Sequence, residues 1–132
     1  MSVETKVHKL VVDYCKANYE KTEVVPGKCR LNRRCHQNAT HDAVTNNDKK
    51  IGLFLCIEKD SPNHLVHFAN FNGGQYKDNT LGVWSKTYDY YLIRDLSEDE
   101  FFDIHKIFVS TVHSKTKEII PWYLRLLGGD VR

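Results

Sequence analysis

The sequence predicts one α+β domain, in which helices pack against an antiparallel β-sheet. Apolar residues recur at helical spacing near both ends of the chain, and the middle holds short apolar runs separated by turn residues. The strands therefore form one block between helices, which is typical of α+β folds. Because 132 residues are enough for one core but leave little room for a second, we expect a single domain over residues 1–132.

The first half of the chain contains two predicted helices joined by a loop. The helix over Val3–Asn18 has one apolar stripe, which consists of Val7, Leu10, Val11, Tyr14 and Cys15. The following loop, residues 19–32, carries turn chemistry at its Pro-Gly pair. A second helix is predicted over residues 34–46, although threonine and asparagine weaken it. The N-terminal helices are thus expected to precede the sheet, and the second would carry Cys35.

Four strands are predicted in the middle of the chain. Ile51–Glu58 is an almost continuous apolar run, which is typical of a strand buried on both faces. His64–Phe71 and Gln75–Asp78 flank an Asn-Gly-Gly sequence, which is a strong hairpin signal. Tyr88–Leu96 is the fourth predicted strand. These segments would form the antiparallel sheet.

Two helices are predicted after the strands. Ser97 and Glu100 have the spacing of a capping box, which predicts a helix start just before the apolar segment 101–112. A last helix over 117–129 is expected to begin or break at Pro121 and to end at the Gly-Gly pair. These C-terminal helices would also pack on the sheet.

Composition restricts the classes of function. The net charge is +2, with 19 Lys and Arg against 17 Asp and Glu, which is too balanced to predict nucleic-acid or membrane binding. No stretch approaches the roughly 20 apolar residues of a membrane span, and the amino terminus does not resemble a secretion signal. We therefore expect a cytoplasmic protein whose four cysteines are reduced. Trp84 and Trp122 are expected in the core.

Cys35 allows three interpretations: a buried structural thiol, part of a metal site, or a nucleophile. It follows Arg33 and Arg34 at the expected start of the second helix. The unpaired N–H groups and the macrodipole of a helix N-terminus favour a negative charge there. A thiol attacks as the thiolate, so this position suits a nucleophile.

A base and a carboxylate are predicted on the hairpin. His64 and His67 lie on opposite faces of one strand, and both faces are partly apolar, so alternation alone does not choose between them. Asp78 lies on the other arm, where the register places it near residues 67–69 and within reach of His67. A carboxylate there would fix the imidazole tautomer and stabilise its charged form. The predicted constellation is Cys35, His67 and Asp78.

This order of residues resembles that of transglutaminase-like members of the papain-like superfamily, where a Cys on a helix precedes a His on a strand and an Asp on the adjoining strand. The segments CHQNA, IGLFLCI, HFAN and YKDNTLG are similar to a pattern in small bacterial and phage proteins. That pattern reads Cys-aromatic-x-Asn-Ala, a strand, His-Ala-Trp-Asn and Val-Asp-x-Thr. The resemblance covers about residues 34–82, under half of the chain.

The resemblance implies a papain-like or transglutaminase-like core. It also implies that Cys35 is the nucleophile, His67 the base and Asp78 the orienting residue, with Asn38 and Asn70 in supporting roles. The expected reaction is attack on the carbonyl of a protein or peptide-like amide, giving a thioester. Water as the second nucleophile makes a peptidase, amidase or deamidase, and an amine makes a transglutaminase-type acyltransferase. No cofactor is implied.

The chain departs from the pattern at several positions. His36 stands where an aromatic residue is usual, and Phe68-Ala69 replaces Ala-Trp after the histidine, so substrate preference does not carry over. No glutamine lies a few residues before Cys35 as an oxyanion donor. Asn32 or Gln37, together with the Cys35 backbone N–H, would have to serve.

A metal site is the less favoured interpretation of the cysteine. Its candidate ligands would be Cys29, Cys35, His36 and His41, whose spacing of six, one and five is not a familiar zinc pattern. Adjacent helical residues also point about 100° apart, which suits chelation poorly. We therefore expect no metal.

The basic loop before Cys35 supports an alternative function. Its cations Lys28, Arg30, Arg33 and Arg34, with His36, are candidates for contacting an anionic substrate or a partner. The alternative is a non-catalytic protein of the same fold that binds a partner protein or, less favourably, nucleic acid. A phage origin would place either activity in the host cytoplasm. The sequence predicts no oligomeric state.

Overall fold

Six strands form one sheet in the order β1-β6-β3-β4-β5-β2, with helices packed against it, in a computed structural model that describes residues 2–30, 32 and 34–131. The strands are β1 (Lys21–Thr22), β2 (Val24–Pro26), β3 (Lys50–Glu58), β4 (His64–Asn72), β5 (Gln75–Asp78) and β6 (Tyr88–Ser97). The helices are α1 (Val3–Asn18), α2 (Cys35–Asn46), α3 (Ile104–Ile119) and α4 (Trp122–Leu126). Two 3₁₀ helices span Gly82–Thr87 and Glu98–Asp103. The predicted α+β class is confirmed.

The sheet is mixed, so the prediction of a wholly antiparallel sheet is wrong at one edge. β3 lies between β4 and β6 and pairs antiparallel with both, whereas β2 pairs parallel with β5. Between β2 and β5 the chain forms α2 and then the antiparallel strands β3 and β4. A long connection of this kind is what allows two strands to run parallel. The predicted loop 19–32 therefore contains two strands, each too short to show a periodic pattern.

Most of the remaining boundaries follow the predictions. The capping box of Ser97 and Glu100 is present, but it starts a 3₁₀ helix, and α3 follows as far as Ile119. The last helix was predicted over 117–129 with a start or break at Pro121. The structure has the break there, but residues 117–119 are the end of α3, and α4 begins after the proline and ends at Leu126. The prediction that both tryptophans lie in the core is wrong, because Trp84 and Trp122 are exposed. None of the described helices is long and apolar enough to cross a membrane.

The sheet has an apolar cluster on each face. Seven consecutive residues of β3 are buried, which confirms the predicted strand with two covered faces. Leu53 belongs to the cluster under the helices, and Phe54 belongs to the cluster on the opposite face. His67 pairs with Phe54 and therefore projects from that second face.

The loop before α2 is anchored by a buried ion pair. The Arg30 guanidinium contacts both carboxylate oxygens of Asp42, at 2.6 and 2.9 Å, and it also donates to the carbonyl oxygen of Asn79. Asp42 is only 1% exposed, so its charge depends on this partner. Lys28 contacts the same carboxylate at 3.4 Å from a largely exposed position. The chain entering α2 is thus fixed to the segment after β5.

Asp42→Ala should lower the free energy of unfolding by about 3 kcal/mol, because it leaves the Arg30 charge part-buried without its partner. Urea denaturation with linear extrapolation measures this change. Lys28→Ala is the matched control, since it removes an exposed cation from the same carboxylate and should change stability by less than about 0.5 kcal/mol. Equal effects of the two variants would contradict the assigned role of Arg30.

Candidate active site

Cys35 is the first residue of α2 and is 8% exposed. The preceding Arg34 occupies the cap position without a capping side-chain hydrogen bond. The positive end of the helix is therefore not neutralised by a capping carboxylate or hydroxyl. This is the environment that the sequence predicted for the thiol.

His67 is buried on β4 and has contacts with both other members of the predicted constellation. Its Nε2 lies 2.8 Å from Oδ2 of Asp78. The N–H does not point directly at that oxygen, so the contact is an ion pair rather than a linear hydrogen bond. The ring also interacts with the Cys35 thiol.

The charged form of His67 is favoured by its two partners. Complete burial on its own lowers the pKa of the imidazole, but the interactions with Asp78 and Cys35 outweigh burial and raise that pKa to about 10. His67 is therefore protonated at neutral pH. The site therefore holds a positive charge beside the Cys35 thiol.

Asp78 is the last residue of β5, and its carboxylate is completely buried. Oδ1 accepts hydrogen bonds from the backbone N–H groups of Thr80 and Leu81, at 2.9 and 2.8 Å. Oδ2 accepts a hydrogen bond from the Tyr90 hydroxyl and faces His67. Burial alone would raise the pKa of Asp78, but these partners hold it below its usual value. The Asp78 carboxylate is thus ionised.

The observed register explains why Asp78 reaches His67. Asn70 pairs with Lys77, so the next residue of β5 falls beside the part of β4 that the sequence predicted. The helix, the strand and the hairpin arm therefore bring Cys35, His67 and Asp78 together.

Asn38 connects the helix that carries Cys35 to the loop that follows Asp78. Its Nδ2 donates to Thr80 Oγ1 at 2.9 Å and to Asn32 Oδ1 at 3.0 Å. Asn32 also accepts a hydrogen bond from the Arg34 backbone N–H. The Asn32 carboxamide is therefore held at the start of α2, where the sequence placed an oxyanion donor.

Asn70 and Gln37, the other two predicted supporting residues, lie away from Cys35, His67 and Asp78. The buried Asn70 amide donates to the carbonyl oxygen of Ala39 at 2.8 Å and to Asp48 at 3.2 Å, and so fixes α2 on β4. By strand alternation it points away from the face that carries His67. Gln37 is exposed on α2. Asn70 thus supports the site through packing.

Only part of the positive charge of the basic loop is available to a ligand. Arg30 and Lys28 both contact Asp42, so one carboxylate balances part of their charge. Arg34 is exposed directly before Cys35. Arg33 lies outside the described residues. Arg34 is thus the described cation of the loop that directly precedes the candidate thiol in the chain.

The metal interpretation gains no support from the described residues. They contain no group of three or more His, Cys, Asp or Glu side chains arranged to hold a metal ion. All four cysteines are free, and Cys29 is exposed whereas Cys35 is buried.

Two residues of the site, Thr80 and Tyr90, were not predicted. Thr80 lies in the Asp-x-Thr segment, so the sequence did carry a signal for its contacts with Asp78 and Asn38. Tyr90 lies on β6, which is separated from β5 by two strands in the sheet order, and nothing near it in the sequence indicates that its hydroxyl reaches Asp78.

Comparison with models of protein families, with curated proteins and with solved structures finds no match to this chain. The resemblance over residues 34–82 therefore rests on the sequence pattern. Membership of the papain-like superfamily stays a prediction.

Asp78→Asn should lower the pKa of His67 markedly from about 10, because burial is then opposed by Cys35 alone. NMR titration of the histidine ring protons measures this change, and Asp95→Asn, in a half-buried carboxylate on β6, is the control. An unchanged His67 titration in Asp78→Asn would contradict the assigned ion pair.

Proposed function

We propose that this chain is a cysteine-dependent hydrolase or acyltransferase that acts on an amide or peptide bond through a thioester. The observation that supports it is the buried ion pair of His67 and Asp78 beside a thiol at a helix N-terminus. A structural cysteine needs no such pair, and burying two charges is unfavourable unless they are well compensated. Strongly shifted pKa values in a cluster of this kind are typical of active sites.

In the proposed reaction the Cys35 thiolate attacks the carbonyl carbon of the amide, and a C–S bond forms. The carbonyl oxygen takes up the negative charge, which the Cys35 backbone N–H and the Asn32 or Gln37 carboxamide would stabilise. His67 then donates its proton to the departing amine as the C–N bond breaks, which leaves a thioester. His67 is now neutral and is ready to act as a base.

The second half of the reaction returns the enzyme to its starting state. Water or an amine attacks the thioester, and its proton passes to His67 as the Cys35 thiolate departs. Asp78 keeps the imidazole in place while the ring changes charge. Water gives hydrolysis and an amine gives acyl transfer, so access to the site decides between the two.

We propose a protein or peptide-like amide as the substrate. The exposed Arg34 beside the nucleophile suits an anionic group on that substrate. A free thiol nucleophile suits the cytoplasm, where reducing conditions keep cysteines reduced, and this would be the host cytoplasm for a phage-encoded chain. The alternative of a partner-binding protein depends on the basic loop, and Asp42 already balances part of that charge.

Iodoacetamide should alkylate Cys35 rapidly below pH 7, because the protonated His67 favours the thiolate. His67→Ala should slow this reaction roughly 100-fold at pH 6. Peptide mass spectrometry measures the rate at each cysteine, and the exposed Cys29 serves as an internal reference. His64→Ala is the matched control, since this histidine lies on the same strand and the opposite face. Equal rates in wild type and His67→Ala would contradict the proposed pair.

Cys35→Ser should abolish turnover of any amide substrate, because a serine hydroxyl beside a charged imidazole has no base to activate it. Screening fluorogenic peptide amides, with and without an added amine, would identify both the substrate and the acceptor. Thermal unfolding of the same variant should stay close to that of wild type. Retained turnover in a folded Cys35→Ser protein would refute the thioester mechanism.

A further inference from the structure

A pocket of about 260 Å³ is lined by residues of β1, of the 3₁₀ helix Gly82–Thr87 and of the start of β6. Its wall includes Tyr90, which belongs to the apolar cluster on the face of the sheet that carries His67. Most of the other wall residues are polar or charged. The pocket is therefore suited to a small polar ligand rather than to an apolar one.

Ser85 is the wall residue that points to a ligand. Residues three apart share a face of a 3₁₀ helix, and Gly82 and Ser85 are the two buried residues of this one. Ser85 is only 1% exposed, yet its hydroxyl has no hydrogen-bond partner among the described residues. A buried hydroxyl without a partner is unfavourable, and such groups are rare in native proteins. An acceptor atom of a ligand in the pocket would satisfy it.

The charged residues of the pocket favour an anionic ligand. They comprise three lysines and two carboxylates: Lys21, Lys59, Lys86, Glu23 and Asp89. The ammonium groups of Lys21 and Lys59 lie 3.1 and 3.9 Å from the same oxygen of Asp89, so one carboxylate is shared by two cations. Lys86 follows Ser85 in the chain and is exposed. The pocket thus has an excess of positive charge beside the Ser85 hydroxyl.

We propose that this pocket binds a phosphate group, either as inorganic phosphate or as the phosphate of a small monoester. A phosphate monoester carries a charge of about −1.5 to −2 at pH 7 and three strong acceptor oxygens. These oxygens suit one hydroxyl donor and several ammonium groups better than the single charge of a carboxylate does. The pocket volume lies just below the roughly 300–1,000 Å³ typical of larger ligands, which also suits a small anion. The proposal does not depend on the chemistry of Cys35.

The test titrates inorganic phosphate into the protein at pH 7 and constant ionic strength, and follows the backbone amides by NMR. The amide of residue 85 should show a saturable shift with phosphate and none with acetate. Ser85→Ala should raise the dissociation constant roughly tenfold, because it removes a hydrogen bond to a charged group. Lys86→Gln should raise it roughly threefold. Lys9→Gln, which removes an exposed lysine of α1, is the matched control and should leave it unchanged.

Three results would overturn the site: shifts that grow linearly with phosphate, equal shifts with acetate, or a dissociation constant that Ser85→Ala and Lys86→Gln both leave unchanged. Without phosphate, Ser85→Ala should unfold at the wild-type temperature or above it, since its hydroxyl has no partner. A lower unfolding temperature would mean that the hydroxyl serves the fold, and would also overturn the proposal. Glycerol 1-phosphate, as a second probe, identifies the source of the phosphate group. Binding at least threefold tighter than that of inorganic phosphate assigns the site to a monoester, and equal or weaker binding assigns it to free phosphate.

Discussion

The Asp78 carboxylate is the charge on which the site and much of the surrounding fold depend. It lies inside the protein and has partners from three directions: Thr80 and Leu81 in the following loop, His67 on β4, and Tyr90 on β6. A buried carboxylate is stable only when such partners replace the water it has lost. The hairpin, the loop and the distant strand must therefore all be in place together. The geometry of the candidate site and the stability of the fold therefore depend on the same contacts.

The contact between Tyr90 and Asp78 also indicates the shape of the sheet. In the strand order, β3 and β4 lie between β6 and β5. Neighbouring strands are about 4.8 Å apart, so a flat sheet would separate β6 from β5 by roughly 14 Å. A tyrosine and an aspartate side chain do not bridge that distance. The sheet must therefore curve toward the face that carries His67, and the hydroxyl contact stabilises this curvature.

Local patterns predicted most of the fold and the three central residues of the site. The apolar stripe predicted α1, and the continuous apolar run predicted β3. The Asn-Gly-Gly turn predicted the register that brings Asp78 to His67. What the sequence did not indicate depends on contacts between distant segments. β1 and β2 are too short to have a period, Arg30 finds Asp42 only after α2 has packed, and Tyr90 reaches Asp78 only because the sheet curves.

The parallel pairing of β2 with β5 has a consequence for the order in which the protein is assembled. The chain that leads into Cys35 is held by Asn79 and Thr80, through contacts of Lys28 and Arg30 that span about 50 residues. Contacts of such long range form late, because the loop they close must first be ordered. During synthesis α2 emerges well before the strands that position its first residue. A nascent chain therefore carries the Cys35 thiol apart from His67, and the two side chains meet only when the domain is nearly complete.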